Sequence, residues 1–150
     1  MYSVFDLPVN NPALLASPLI QATLDVAAFS IQAGFPSPAE DHSSKRIDLN
    51  DMLIKHPLAT FVMRISGASM REAGIDDGDV VLVDRAIKAA HGHVVVAVVD
   101  GDFTVKRLWK RGANIKLKAE NPTYPDIVPR DGQTVEIWGV VTNAIKAMRV

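Results

Sequence analysis

Cysteine is absent from this chain of 150 residues, and with it every function that depends on a thiol. Disulfide frameworks, thiolate-ligated metals, cysteine nucleophiles and thiol redox sensing are therefore excluded. Long apolar runs are also absent, because the longest aliphatic stretch is residues 94–99, whereas a membrane-spanning helix needs roughly 18 apolar residues. We therefore expect no membrane-spanning segment and no association with a membrane.

Positive charge is missing from the N-terminal region, where no lysine or arginine occurs before Lys45. A secretory signal requires basic residues ahead of its apolar segment, and Pro8, Pro12, Pro18 and Asp25 also interrupt the apolar residues here. We therefore expect a cytoplasmic protein. The whole chain has 16 basic and 17 acidic residues and a formal net charge of -1, which gives no general attraction to nucleic acid.

Composition changes near residue 40. Residues 1–39 hold only two charged side chains, Asp6 and Asp25, but five of the nine prolines. We predict an N-terminal arm over residues 1–39 and one folded domain over residues 40–150. Within the arm the prolines leave only Leu19–Gln32 free to form a regular element. Its apolar residues recur at a spacing compatible with a short amphipathic helix that packs on its own domain or on a dimer partner; they are Ile20, Leu24, Ala28 and Ile31.

The sequence after residue 60 is typical of a mostly β domain. Short runs rich in valine, isoleucine, threonine and aromatic residues alternate with glycine-containing turns. Asp100-Gly101 predicts a hairpin over residues 93–109, because a type I′ turn needs positive φ at both central positions. Short helical pieces are expected at Leu49–Lys55 and Ser69–Ala73. The predicted strands are Thr60–Ile65, Val80–Asp84, His93–Val99, Phe103–Trp109, Asn114–Lys118 and Val135–Val141.

Neither a metal site nor a phosphate-binding loop is predicted. The four histidines, His42, His56, His91 and His93, do not follow a zinc-binding spacing, and no cysteine is available to complete a site. No glycine-rich nucleotide motif occurs either. We expect neither a cofactor nor a metal.

Several short motifs occur in order between about residues 29 and 149. They are Gln32-Ala33-Gly34-Phe35-Pro36-Ser37-Pro38, Arg46-Ile47-Asp48-Leu49-Asn50, Ser66-Gly67-Ala68-Ser69-Met70, Gly78-Asp79-Val80, Val99-Asp100-Gly101-Asp102-Phe103-Thr104-Val105-Lys106 and Lys146-Ala147-Met148-Arg149. In order and spacing, these motifs resemble the UmuD-like branch of the LexA-like self-cleaving serine peptidases, and the resemblance has no counterpart for residues 1–28. It implies a compact peptidase domain of short, curved antiparallel sheets, preceded by a mobile N-terminal arm.

The resemblance implies a serine and lysine dyad, with Ser69 as the nucleophile and Lys106 as the general base. A lysine with the ordinary pKa of about 10.4 is neutral in only about one molecule in a few thousand near pH 7, so such a base needs surroundings that destabilise its ammonium form, as burial does. Alternation along the strand places Lys106 opposite charged Arg107, which favours an inward lysine, although an exposed strand lysine is the alternative. By analogy with other serine enzymes, the Met70 backbone N–H is the candidate oxyanion donor.

The resemblance also implies that the substrate is the chain itself, cut between Ala33 and Gly34. Both residues are small, and Pro36 keeps the next segment extended. Ala33 stands where we associate a cysteine with UmuD proteins, and an Ala-Gly bond is the LexA-like choice. Alternatively, Gly34 could be the C-cap of a helix.

The implied role is in SOS mutagenesis. Cleavage would be stimulated by RecA filaments on single-stranded DNA, and the trimmed homodimer would then serve a UmuC-like Y-family translesion polymerase. Sequence-specific DNA binding is not expected, because only 33 residues without a basic side chain precede the predicted cut. Two alternatives are a noncatalytic dimeric β module that keeps Ser69 and Lys106 as remnants, and a general serine hydrolase with other substrates.

Overall fold

The computed structural model describes residues 23–27, 30–36 and 43–150. These residues form two compact units, one ending at Lys55 and the other running from His56 to Val150. The predicted division into residues 1–39 and 40–150 stays a prediction. The expected mobility of the arm concerns mainly residues that lie outside the described ranges.

The first unit contains a two-stranded antiparallel sheet and one short helix. Strand β1, Thr23–Ala27, pairs with β2, Ser43–Asp48. Arg46 on β2 links the strands, because its guanidinium donates to the Asp25 carboxylate at 2.9 Å and to the Thr23 hydroxyl at 3.0 Å. Helix α1, Leu49–Leu53, begins where the Asp48 side chain accepts the Asn50 N–H at 2.8 Å, an N-cap that satisfies one unpaired donor of the first turn.

The short helix predicted within Leu19–Gln32 is not found in the described part of that stretch, so this prediction is wrong there. Residues Thr23–Ala27 are extended, and all five residues are exposed. Most of the stability of a helix in a protein comes from packing of its apolar face, and these five residues have no buried face, whereas pairing with β2 engages the backbone along the strand. The remaining apolar positions of the proposed helix, Ile20 and Ala28, lie outside the described residues.

The second unit is built on a six-stranded antiparallel sheet, which confirms the predicted mostly β fold. The order of strands across the sheet is β3-β4-β8-β5-β6-β7. One-turn 3₁₀ helices at Pro57–Ala59 and Arg71–Ala73 lie outside the sheet. The strands are β3 Thr60–Arg64, β4 Val80–Asp84, β5 Val94–Val99, β6 Asp102–Arg111, β7 Asn114–Lys118 and β8 Val135–Ile145.

Strand β8 is the longest strand and runs four residues beyond its predicted end. It pairs with β4 and β5, and the register shifts once along each pair, between Leu82 and Val83 and between Val96 and Ala97. Such bulges increase the local twist of a sheet. Gly139 lies on β8 beside Val83, where an added Cβ would come within 2.7 Å of the valine Cγ1.

The turn between β5 and β6 has the predicted geometry. Asp100 has φ 49° and Gly101 has φ 90°, and Val99 pairs directly with Asp102. The Asp100 carboxylate accepts the Thr134 N–H and the Gln133 side-chain amide, each at 3.0 Å. The two-residue turn is therefore tied to the segment that leads into β8, and it fixes the register of β6.

The core of the second unit lies on both faces of the sheet. Val96 on β5 belongs to one buried cluster, while its neighbours Val95 and Ala97 belong to the other, because successive strand residues point to opposite faces. Met70 is 2% exposed and packs in the first cluster. Among the described residues, no helix is long and apolar enough to span a bilayer.

Candidate active site

A tight turn, here called the Ser69 turn and comprising residues 66–70, connects β3 to the 3₁₀ helix Arg71–Ala73. Gly67 has φ 95°, a conformation that disfavours side chains with a Cβ. Its N–H donates to the Asp77 carboxylate at 2.7 Å, while the Met70 carbonyl accepts the N–H groups of Ala73 and Ile75. The buried Met70 side chain anchors this turn to the core.

Lys106 on β6 contacts the Ser69 turn although 37 positions separate Lys106 from Ser69 in sequence. Its Nζ lies 2.9 Å from the Ser69 Oγ. The same nitrogen lies 3.0 Å from the Thr104 Oγ1 and 3.0 Å from the Val105 carbonyl oxygen. Lys106 is 7% exposed, so it is the inward lysine that strand alternation favoured.

Burial lowers the pKa of Lys106 below its ordinary value, because an ammonium group loses hydration inside the protein. All three hydrogen-bond partners are uncharged oxygens. None of the ion pairs formed among the described residues includes Lys106. No carboxylate contact therefore counteracts the effect of burial on this amine.

The three partners of Nζ suit both protonation states of the lysine. An ammonium can donate one hydrogen bond to each of the three oxygens. A neutral amine can donate to Thr104 and Val105 and still present its lone pair to the Ser69 hydroxyl. The arrangement can therefore accept the hydroxyl proton without a change of partners.

An apolar cleft with a volume of about 220 Å³ adjoins Ser69. Ser69 is one of the residues that line it. The remaining lining is contributed by Met63, Arg64, Ile65, Ser66, Gly67, Met70, Val96, Phe103, Thr104 and Val105.

The structure separates the two groups of predicted site residues between the two units. Ser69, Met70 and Lys106 lie in the second unit, whereas Ala33 and Gly34 lie in the first. Residues 33–35 form an exposed bend, and no heavy atom of a distant residue lies within 4 Å of a Cβ placed on Gly34. The alternative in which Gly34 ends a helix is therefore wrong, since the described residues 30–36 contain no helix.

Sequence reasoning missed Glu120 and Asn121, which form hydrogen bonds with backbone carbonyl groups of the Ser69 turn. The Glu120 N–H donates to the Ser69 carbonyl at 2.8 Å, and the Asn121 side-chain amide donates to the Ala68 carbonyl at 2.8 Å. The dipeptide Asn121-Pro122 is a turn signal in the sequence, but no local pattern shows which segment the turn contacts.

Two further segments of the resemblance meet in an ion-pair cluster. Lys146 Nζ donates to Asp76 at 2.8 Å and also contacts the nearly buried carboxylate of Asp79. The hydrogen bonds with both carboxylates raise the pKa of Lys146, and the hydrogen bond from Lys146 lowers that of Asp76. The cluster therefore ties the end of β8 to the loop that holds the Ser69 turn through Asp77.

The histidines of the second unit have structural partners. His56 Nδ1 lies 2.6 Å from the buried Asp84 carboxylate, and His91 and His93 each accept a backbone N–H. Within the described part of the chain, no group of three metal-binding side chains converges on one point.

A mostly β domain with a buried lysine in contact with a serine hydroxyl is the arrangement expected of a serine peptidase with a lysine base. The sequence model of the Peptidase S24-like family matches residues 24–142, so the chain belongs to this family. This assignment confirms the resemblance to the LexA and UmuD-like peptidases.

Individual relatives match over most of the chain. Protein MucA of Salmonella typhimurium is 43% identical over 117 residues, which cover 77% of this chain and 79% of MucA. Protein SamA of Salmonella typhimurium is 42% identical over 130 residues, covering 87% of this chain and 90% of SamA. The LexA repressor of Cupriavidus taiwanensis is 35% identical over 143 residues, covering 95% of this chain and 62% of the repressor.

Proposed function

We propose that this protein is a self-cleaving serine peptidase that cuts its own chain between Ala33 and Gly34. Ser69 is the nucleophile and Lys106 is the general base. The observation that carries the proposal is the 2.9 Å contact between the Lys106 amine and the Ser69 hydroxyl. Membership of the S24-like peptidase family supports the same chemistry.

In the first step, neutral Lys106 removes the proton from the Ser69 hydroxyl as the oxygen attacks the Ala33 carbonyl carbon. The negative charge that develops on the carbonyl oxygen is stabilised by the Met70 backbone N–H. The Lys106 ammonium then gives its proton to the Gly34 nitrogen as the peptide bond breaks. The products are an ester between Ser69 and Ala33 and a free amine at Gly34.

In the second step, a water molecule takes the place vacated by the Gly34 amine and acts as the nucleophile. Neutral Lys106 removes a proton from the water, which attacks the ester carbonyl, and the ammonium returns a proton to Ser69. This step releases a carboxylate at Ala33 and restores the dyad. Each chain has one proposed cleavage site, Ala33-Gly34, so a molecule that cuts only its own chain reacts once.

The low charge around the bond suits an apolar cleft. Ala33 and Gly34 are small and exposed, and the cleft beside Ser69 is lined mainly by apolar side chains. A larger or charged residue at either position would have to enter the cleft at a steric or desolvation cost.

The biological role that we propose is in SOS mutagenesis in the cytoplasm. RecA filaments on single-stranded DNA stimulate the cut, and the trimmed homodimer then assists a UmuC-like Y-family polymerase in translesion synthesis. The similarity to MucA and SamA, which extends over 79% and 90% of those proteins, supports this role.

The test uses the full chain, incubated with RecA filaments assembled on single-stranded DNA, and follows cleavage by gel electrophoresis. We expect Ser69→Ala to remain intact, because it has no hydroxyl to attack the bond. Ser66→Ala is the matched control, since Ser66 lines the same cleft but makes no hydrogen bond with the amine of Lys106. We expect the control variant to be cut at a rate within about threefold of wild type.

Cleavage of Ser69→Ala at the wild-type rate would overturn the assignment of the nucleophile. If the wild-type protein also stays intact with filaments present, the noncatalytic β module becomes the better description.

A further inference from the structure

The two peptide units on either side of Ser69 are held by consecutive residues of a single segment. Glu120 donates its backbone N–H to the Ser69 carbonyl at 2.8 Å and accepts the Glu72 N–H at 2.8 Å. Asn121 donates its side-chain Nδ2 to the Ala68 carbonyl at 2.8 Å. Both carbonyl groups that flank Ser69 are therefore fixed by the segment that follows β7.

Fixing a carbonyl also fixes the N–H on the other side of the same peptide unit. A peptide unit is planar, and in the trans form its N–H points away from its C=O; none of the described peptide bonds is cis. The bond from Asn121 to the Ala68 carbonyl thus directs the Ser69 N–H. The bond from Glu120 to the Ser69 carbonyl directs the Met70 N–H in the same way.

We propose that Asn121 is a positioning residue for self-cleavage, which orients the nucleophile and the backbone N–H donors beside it. The proposal rests on the proposed function, because it assigns a role within the same reaction. Asn121 does not contact the reacting atoms. It acts through the Ala68 carbonyl on the peptide unit that leads into Ser69.

The orientation of the Asn121 amide is set by its neighbour Thr123. The Asn121 Oδ1 accepts the Thr123 N–H at 3.1 Å and the Thr123 hydroxyl at 2.9 Å. Two donors at the oxygen leave the Nδ2 end of the amide to face the Ala68 carbonyl. The side chain is partly buried, so it is held in one rotamer by contacts at both ends.

Arg107 connects this segment to the strand that carries the lysine. Its guanidinium contacts the Glu120 carboxylate and donates to the Gly92 carbonyl at 2.7 Å. Arg107 directly follows Lys106 on β6 and points to the opposite face. The base and the support of the nucleophile are therefore fixed to the same strand.

The inferred role predicts a specific kinetic effect. Oxyanion donors act only when they already point to the position where charge develops, and small displacements of reacting groups can slow a reaction by about a hundredfold. We expect Asn121→Ala to slow self-cleavage by at least about tenfold at saturating alkaline pH. The midpoint of the pH profile should stay at the wild-type value, because Asn121 makes no hydrogen bond with Lys106.

The experiment measures self-cleavage of the full-length chain across a pH series and compares four variants with wild type. Asn121→Ala removes the amide, and Asn121→Asp keeps the acceptor for Thr123 but replaces the donor with an oxygen. Thr123→Val removes one donor to Oδ1 and should have a smaller effect in the same direction. Asn114→Ala is the control, because Asn114 is an exposed residue at the start of β7.

A second readout does not depend on activity. The backbone ¹H and ¹⁵N NMR signals of Ser69 and Met70 should shift in Asn121→Ala and in Asn121→Asp, but not in Asn114→Ala. If Asn121→Ala does not fold, Asn121→Asp and Thr123→Val decide the question, since both retain most of the side-chain volume.

The outcomes separate this inference from the proposed function. Cleavage of folded Asn121→Ala and Asn121→Asp at the wild-type rate would refute the role of Asn121 while the peptidase proposal stands. A slower rate with a shifted midpoint in the uncharged variant Asn121→Ala would also refute it, because Asn121 would then act on the lysine. If wild type is not cut, the peptidase proposal fails, and unshifted Ser69 and Met70 signals would overturn the positioning by Asn121 as well.

Discussion

Lys106 is the side chain on which the proposed chemistry depends, because its amine must be neutral before it can accept the Ser69 proton. Burial favours the neutral form, because it lowers the pKa of the amine. The same burial has a cost, since the ammonium is destabilised in the folded protein relative to the unfolded chain. Function and stability are thus coupled at one residue.

This coupling predicts how stability depends on pH. The folded-state pKa of Lys106 lies below the unfolded value of about 10.4, so the unfolded chain binds the extra proton at pH values between the two. Stability attributable to Lys106 therefore rises with pH through that window, by at most about 1.4 kcal/mol per pH unit. Below the window Lys106 is protonated in both states, and the burial of its charge lowers the free energy of unfolding by an amount that no longer changes with pH.

Comparison of wild type with Lys106→Met isolates this contribution. We expect the methionine variant to gain stability relative to wild type at low pH, and the difference to shrink as pH rises toward about 10.4. Urea unfolding at a series of pH values measures it. A difference that does not change with pH would mean that the lysine ionises equally in both states.

Thr104 affects the same amine through a hydrogen bond. Thr104→Val removes an acceptor that stabilises the ammonium more than the neutral amine, so the midpoint of the cleavage profile should move to lower pH. The plateau rate should fall roughly tenfold, because the amine is less well oriented. Thr142→Val, at a distant threonine on β8, is the control and should change neither quantity. A midpoint that moves upward would contradict this reading of the contact.

At the scale of elements, local patterns predicted the strands well. The bounds of β4 and β7 agree with the predicted runs, and the hairpin at Asp100-Gly101 has the expected φ values. Strand β1 was missed, because its pairing with β2 depends on a contact between segments about 20 residues apart. The order of strands in the six-stranded sheet could not be predicted from the sequence either. Strand β8 lies between β4 and β5, and no local pattern encodes these pairings.

The close approach of β4 and β8 predicts a large effect of a small substitution. In Gly139→Ala the new methyl group would lie 2.7 Å from Val83 Cγ1, and Val83 is fully buried. Overpacking of this kind costs about 1–3 kcal/mol of unfolding free energy, measurable by urea unfolding. The double variant with Val83→Ala should lose less stability than the sum of the two single variants. Simple additivity would argue against the clash.

At the scale of the whole molecule, the sequence predicted the site in part. Strand alternation indicated that Lys106 points inward, and the family resemblance assigned Ser69 and Lys106 as partners. The contact between them depends on how the Ser69 turn meets β6, which only the folded structure shows. Glu120 and Asn121 could not be found in advance, because hydrogen bonds to backbone carbonyls leave no signature in side-chain spacing.

The contact between the motifs Gly78-Asp79-Val80 and Lys146-Ala147-Met148-Arg149 could not be predicted from the sequence either. The residues that meet, Asp79 and Lys146, are 67 positions apart in sequence. Their ion pair supports the loop beside the Ser69 turn, so a segment near the C-terminus contributes to the candidate site. Long-range contacts of this kind explain why segments spread over most of the chain carry the family resemblance.

The most direct test of the account is the intact mass of the purified chain, followed over time at several pH values from neutral to alkaline, with and without RecA filaments on single-stranded DNA. The account predicts two products, residues 1–33 and residues 34–150, formed at a rate that rises with pH to a plateau. The midpoint should lie below about 10.4, and Lys106→Arg should give no product at any pH, because a guanidinium stays protonated. An uncut wild-type chain, a cut at another bond, or equal cleavage of Lys106→Arg would contradict the account.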